Sequence, residues 1–195
     1  MTMPRSYPAL LLAALATVTA LAVAAACGGV GTTTAGLAPT EAAPSGKGSE
    51  APPSDQDRIW MKKTHQGNLA EIQAGRLAER KGTARAVKEL GKTLVKDHAT
   101  FDGTLTQVAD RLGVELPESV SPEQKRAAVA LEGASREDFD RLFLTTMRKA
   151  HRAAIGDTLT EVKRGTSPAA KAAAAKALPA FRHHLEMAKA AMDGN

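Results

Sequence analysis

Between residues 83 and 113, core-type positions recur in alternating steps of four and three. Val87, Gly91, Leu94, His98, Phe101, Leu105, Val108 and Leu112 fall on one stripe. That period predicts a helix with one face in a core, with His98 in the middle of the face. A second such stripe, Ala170, Ala174, Ala177, Phe181, His184, Ala188 and Ala191, predicts a helix over 168–192 that begins with Pro168 after Ser167. Pro179 lies inside it and leaves the carbonyl of Ala175 without its partner, so a kink is expected.

Two further helices complete the pattern. Over 136–164, Asp140, Leu144, Met147, His151, Ala154 and Thr158 share a face, following Ser135 and with Asp138 in the first turn. Over 56–81, Trp60, Thr64, Gly67, Glu71, Ala74 and Ala78 fall together. Glu71 is ringed by Gly67, Asn68, Ala74 and Gly75, small neighbours that let a partner helix approach closely. Leu116-Pro117 breaks the chain, and Pro122 opens a short helix to about residue 131. Tight turns at Gly82 and Gly165 join the outer pairs. The expected fold is all-α, an antiparallel four-helix bundle with a short extra helix between the second and third long helices, over residues 56–193.

Ahead of this domain the pattern is different. Residues 1–26 have a short polar start with Arg5, an apolar stretch from Ala9, and small residues Ala24-Ala25-Ala26 before Cys27. This reads as a signal peptide with lipidation of Cys27, so that the mature protein is exported and lipid-anchored to the cell membrane. Simple cleavage and an uncleaved anchor are the alternatives, and the position three before the cysteine is Ala24 where lipoproteins usually carry Leu. Cys27 is the single cysteine, so no intrachain disulfide can form. Residues 27–55, rich in Gly, Thr, Ser, Ala and Pro, read as a disordered tether reaching roughly 30 Å.

Composition narrows the function classes. Aromatics are 3% of the chain, so Leu, Ala, Val and Met must fill the core. The net charge of +5 comes from 26 basic and 21 acidic residues, intermixed and without interleaved aromatics. Nucleic-acid binding is therefore not expected, whereas weak contact with anionic wall polymers or headgroups is. No Ser-His-Asp order, glycine phosphate loop or cysteine metal motif points to an enzyme.

The candidate chemistry is one polar residue on each core stripe: Glu71, His98, His151 and His184. At about 1.5 Å rise per residue from the hairpin turns, Glu71 lies roughly 17 Å up, His98 and His151 roughly 23 Å, and His184 roughly 27 Å. Neutral imidazoles with one carboxylate suit a transition metal such as zinc, copper, nickel or iron. The alternative is an internal hydrogen-bond network in a purely structural or stress-related envelope protein, and a third reading is a redox or hydrolytic metalloenzyme. Asp140 near a helix start reads as a dipole or capping residue. His65 and His183 are expected at the surface.

Glu71-Ile72 with Leu77-Ala78, Val95-Lys96-Asp97-His98, Gly113 to Pro117, Phe139-Asp140, His151, and Leu178-Pro179 with His184-Leu185 together resemble the exported bacterial family called domain of unknown function 4142. The resemblance covers about residues 57–192 and implies a ferritin-like fold without implying an activity. Di-iron members of ferritin-like folds carry Glu-x-x-His on two helices. Here Val95 and Phe181 stand three residues before His98 and His184, so a di-iron centre is not expected.

Overall fold

The computed structural model describes residues 51–194. The leader, Cys27 and most of the expected tether lie outside the described residues. The described chain is helical, without strands: α1 (Asp55–Lys81), α2 (Arg85–Arg111), α3 (Pro122–Gly133), α4 (Arg136–Arg164) and α5 (Pro168–Asp193). None of these helices is long and apolar enough to cross a membrane.

Local chemistry sets most of the boundaries. Ser54 and Asp57 form a reciprocal capping box at the start of α1, as Ser121 and Gln124 do at α3, where Pro122 takes the first turn. Ser135 caps α4 through the Asp138 amide, and Ser167 caps α5 through Ala170. Gly113, at φ +63°, supplies the left-handed residue just past α2, and Val114 donates back to the Ala109 carbonyl at 2.9 Å. α5 continues through Pro179 as a single helix.

The start of α2 has no cap from its own segment: its N-cap residue, Ala84, makes no side-chain cap bond. The acceptor comes from another helix. Asp140 on α4 takes the amides of Thr83 (3.0 Å) and Ala84 (2.8 Å) and the Thr83 hydroxyl. Asp140 thus caps α2 across the fold and not its own helix. Asp57 on α1, while completing the capping box of its own helix, also reaches across to α5, accepting from the Thr166 amide (3.0 Å), the Ser167 amide (3.1 Å) and the Thr166 hydroxyl (2.8 Å). Asp57 and Asp140, Gly82 and Gly165, and Thr83 and Thr166 are equally spaced along the chain. The α1–α2 and α4–α5 pairs therefore repeat one pattern and exchange caps.

α1 packs on α2 and α4, α5 packs on α4 and α2, and α3 lies against α1 and α4. Gly75 and Gly91 bring α1 and α2 together: a Cβ at Gly75 would stand 2.6 Å from the Gly91 carbonyl oxygen, and one at Gly91 would stand 2.7 Å from that of Gly75. Burial on α5 follows the expected stripe throughout. On α1 the stripe is rotated, with Met61, Asn68, Gly75 and Leu77 buried and Thr64 and Gly67 only half-buried. Phe101 is also half-buried, so the α2 seam runs through Leu90 and Leu105 more than through that ring.

The apolar interior divides into two blocks. One gathers Leu77, Val87, Leu94, Phe143 and Leu144 among others, and the other Trp60, Met61, Leu105, Val108 and Ala174. The buried histidines belong to neither block.

Candidate functional site

Glu71 on α1, His98 on α2, His151 on α4 and His184 on α5 are all buried, none more than 5% exposed. They meet. Glu71 Oε2 lies 2.7 Å from His98 Nε2 and 3.3 Å from His151 Nε2. His151 Nε2 lies 3.1 Å from His184 Nδ1. One donor atom from each of the three histidines falls within 4.8 Å of the others. His98 stacks on Phe181 at 5.6 Å and meets Phe101 edge-on at 6.4 Å, so rings as well as helices hold it in place.

The outward-facing nitrogens decide the protonation of the inward ones. His98 Nδ1 is 2.9 Å from Asn68 Oδ1, and Asn68 presents that oxygen because its amide nitrogen donates to Asp102 at 3.1 Å. His151 Nδ1 is 3.0 Å from the Met147 carbonyl, and His184 Nε2 is 3.0 Å from Asp97 Oδ2. All three partners are acceptors, so all three outer nitrogens carry the hydrogen. In the neutral rings, the lone pairs of His98 Nε2, His151 Nε2 and His184 Nδ1 then point inward, toward one another and toward a carboxylate. Glu71 Oε2 and His98 Nε2, although 2.7 Å apart, are not aligned as a hydrogen bond.

Burial pushes the Glu71 carboxyl up, but the three imidazoles, which attract it when protonated, outweigh that and leave it lowered to about 2. It is a carboxylate throughout the neutral range. Burial also dominates at His184, against the hydrogen bond to Asp97, and lowers it to about 4. That ring is neutral at pH 7.

Three residues of this arrangement were absent from the set expected to act together: Asn68, Asp97 and Asp102. Asn68 lies three before Glu71 and so on the same face, a spacing that could have flagged it. Asp97 could have been found only as the neighbour of His98. The expectation of an exposed His65 fails. Its Nδ1 is 2.7 Å from Asp102 Oδ1 with 13% of the side chain exposed, because α1 and α2 pack tightly enough to bring that pair together. His183 is exposed, as expected. Gly67 does not line the close helix contact; Gly75 does.

A second buried polar cluster sits at the other end of α4. Glu161 and Asp57 are both fully buried, and Gln56 Nε2 donates to Glu161 Oε2 at 3.1 Å. Burial, with the Asp57 carboxylate beside it, raises Glu161 to about 7. Burial pushes Asp57 up too, but the hydrogen bonds from Ser54, Glu161, Thr166 and Ser167 win and hold it well below the carboxylate range. Glu161 therefore carries the proton of the pair.

Among solved structures, the chain is similar to a DUF305 fragment from Deinococcus radiodurans, with 17% identity and a TM-score of 0.66 over 74% of this chain and 99% of that one. At that identity the likeness concerns the fold alone. No curated protein matches the chain. The family description "Domain of unknown function (DUF4142)" matches residues 42–191, more than half of the sequence, and the chain belongs to that family.

Proposed function

We propose that this protein binds one divalent transition metal ion, zinc, copper or iron, through Glu71, His98, His151 and His184 in the core of an antiparallel, ferritin-like four-helix bundle. The observation that carries the reading is the inward convergence of three imidazole lone pairs and a carboxylate at a buried point. Four electron-rich atoms without a cation repel one another in a medium that screens them poorly. The donor set fits a metal. With bonds of about 2.0–2.1 Å, tetrahedral donors lie roughly 3.3 Å apart; three of the six separations here are 2.7, 3.1 and 3.3 Å, and the three imidazole nitrogens all lie within 4.8 Å of one another. The hydrogen bonds to Asn68, Met147 and Asp97 fix ring orientation as outer partners of metal-bound histidines do.

One observation favours a second reading. The 3.1 Å contact between His151 and His184 fits a shared proton, with the imidazolium balancing Glu71 and no metal. Against it, burial holds His184 neutral at pH 7. Metal analysis of the domain purified without a histidine tag separates the two. One equivalent of tightly held metal is expected, and a metal-free protein that binds none on titration supports the proton.

We place this bundle outside the cytoplasm, tethered to the membrane through Cys27, on the strength of the leader pattern. Cys27→Ser is expected to move the protein from the membrane fraction to the soluble one. Wild-type protein that is already soluble, with an unmodified Cys27, contradicts this.

A further inference from the structure

A cavity of about 480 Å³ opens between α1, α3 and α4, within the range of small-molecule sites. Glu71 and His98 lie on its lining, so the polar centre faces into it from one side. The walls are small and apolar, with Gly67 and Ala70 from α1, Ala127 and Ala128 from α3, and Ala150 and Ala154 from α4. The space at Gly67 is open, since a Cβ built there would meet nothing within 4 Å. α3 is fastened as a roof. Lys81 Nζ donates to the carbonyls of Leu131 (3.3 Å) and Ala134 (2.9 Å) at one end, and Gln66 Nε2 donates to the Ser119 carbonyl (2.9 Å) before the other.

We infer that this cavity binds a small organic monoanion whose carboxylate reaches the metal beside Glu71 and His98 and whose apolar body lies against the alanine walls. The inference rests on the metal reading above. Its charge argument is direct. A divalent cation held by three neutral imidazoles and one carboxylate retains one positive charge in a poorly solvated place, and one further anionic donor, bound as a fifth ligand, neutralises it. Thr64, Gln124 and Thr146 also stand on the lining, but its exposed surface is mostly apolar, so the body that fits it is mainly apolar. Lys63 and Lys149, also on the lining, form ion pairs with Asp157 (3.4 Å) and Glu123 (3.2 Å) at the exposed side. They leave the entrance polar without presenting a free anion to repel the ligand.

The test uses the cobalt(II)-loaded protein and hexanoate as the probe. Hexanoate is expected to change the visible cobalt spectrum saturably and to raise the unfolding temperature only when metal is present. Acetate, which has the charge without the body, and hexanol, which has the body without the charge, should each bind at least tenfold more weakly. Gly67→Leu fills the open space and replaces a helical glycine, so it should fold, keep its cobalt, and lose hexanoate affinity at least tenfold; Ala127→Leu should act in the same direction. Cobalt bound with a spectrum indifferent to hexanoate overturns this inference alone, as does a Gly67→Leu protein that responds like wild type. Failure to bind cobalt, zinc or copper removes the metal reading, and this inference falls with it.

Discussion

His151 and His184 face each other nitrogen to nitrogen, Nε2 to Nδ1 at 3.1 Å, while the far nitrogen of each ring already donates, to the Met147 carbonyl and to Asp97. With both rings neutral, the two facing lone pairs repel each other, and a cation between them would relieve that. If it is a metal, added zinc should raise the unfolding temperature, by about 2.7 kcal/mol of stability at a hundredfold excess over the dissociation constant. His98→Ala, His151→Ala or His184→Ala should abolish the rise, while His183→Ala leaves it intact. As pH falls, protons compete for the imidazoles and binding weakens, whereas Glu71, lowered to about 2, stays charged. Titration by calorimetry between pH 5 and 8 checks this. Affinity that is flat across that range would count against histidine ligation.

The outer partners should matter less than the ligands, but measurably. Asp97→Ala and Asn68→Ala leave His184 and His98 in place but free their rings to turn. Metal affinity is expected to fall about 10–100-fold with the fold retained. His65→Ala acts only through Asp102 and Asn68 and should have a smaller effect. Equal losses for His65→Ala and Asn68→Ala would mean that the chain of contacts acts as one unit.

The exchanged caps give a stability prediction. Asp57→Ala removes the acceptor for the amides of Thr166 and the buried Ser167, and should cost about 3–5 kcal/mol in denaturant unfolding. Asp140→Ala leaves Thr83, which is exposed and can turn to water, and should cost about 1–3 kcal/mol. A neutral Asp57→Ala would show that α5 does not depend on the cap.

Glu161 should make the domain less stable as pH rises. Its folded pKa, about 7, is above its ordinary 4.5, so the folded state binds the extra proton. That contribution is complete below pH 4.5 and is lost as pH climbs through 7. Glu161→Gln, which mimics the protonated group, should flatten the decline and stabilise the protein at pH 8 by on the order of 2 kcal/mol. Thermal unfolding from pH 4 to 8 measures it. An unchanged slope would place the titrating group elsewhere.

The repeat between the two hairpins bears on how the site is composed. At the common spacing, His98 corresponds to Phe181, His184 to Phe101, His151 to Asn68 and Glu71 to Ala154. At each of these positions the other pair carries a residue that is not an expected ligand, so the four long helices contribute one each. Ala154, at the position that corresponds to Glu71, is small and lines the cavity between α1 and α4.

Helix period, caps and turn residues are local properties, and they were enough to place the four long helices and the short fifth within about two residues of where they lie. Period alone also put Glu71, His98, His151 and His184 on inward faces, because a 3.6-residue repeat assigns direction without knowledge of the partner helix. What period cannot carry is rotation and depth to within a turn, and those came only from packing. The Gly75–Gly91 contact turns α1 so that Asn68 goes inward and Gly67 toward the cavity. The same packing brings His65 to Asp102, Asp97 to His184, and Asp140 to a helix more than fifty residues earlier. Short polar side chains such as these can cap, turn or ligate with similar ease, so their roles follow from which atoms stand within 3 Å, a distance that only the assembled helices set.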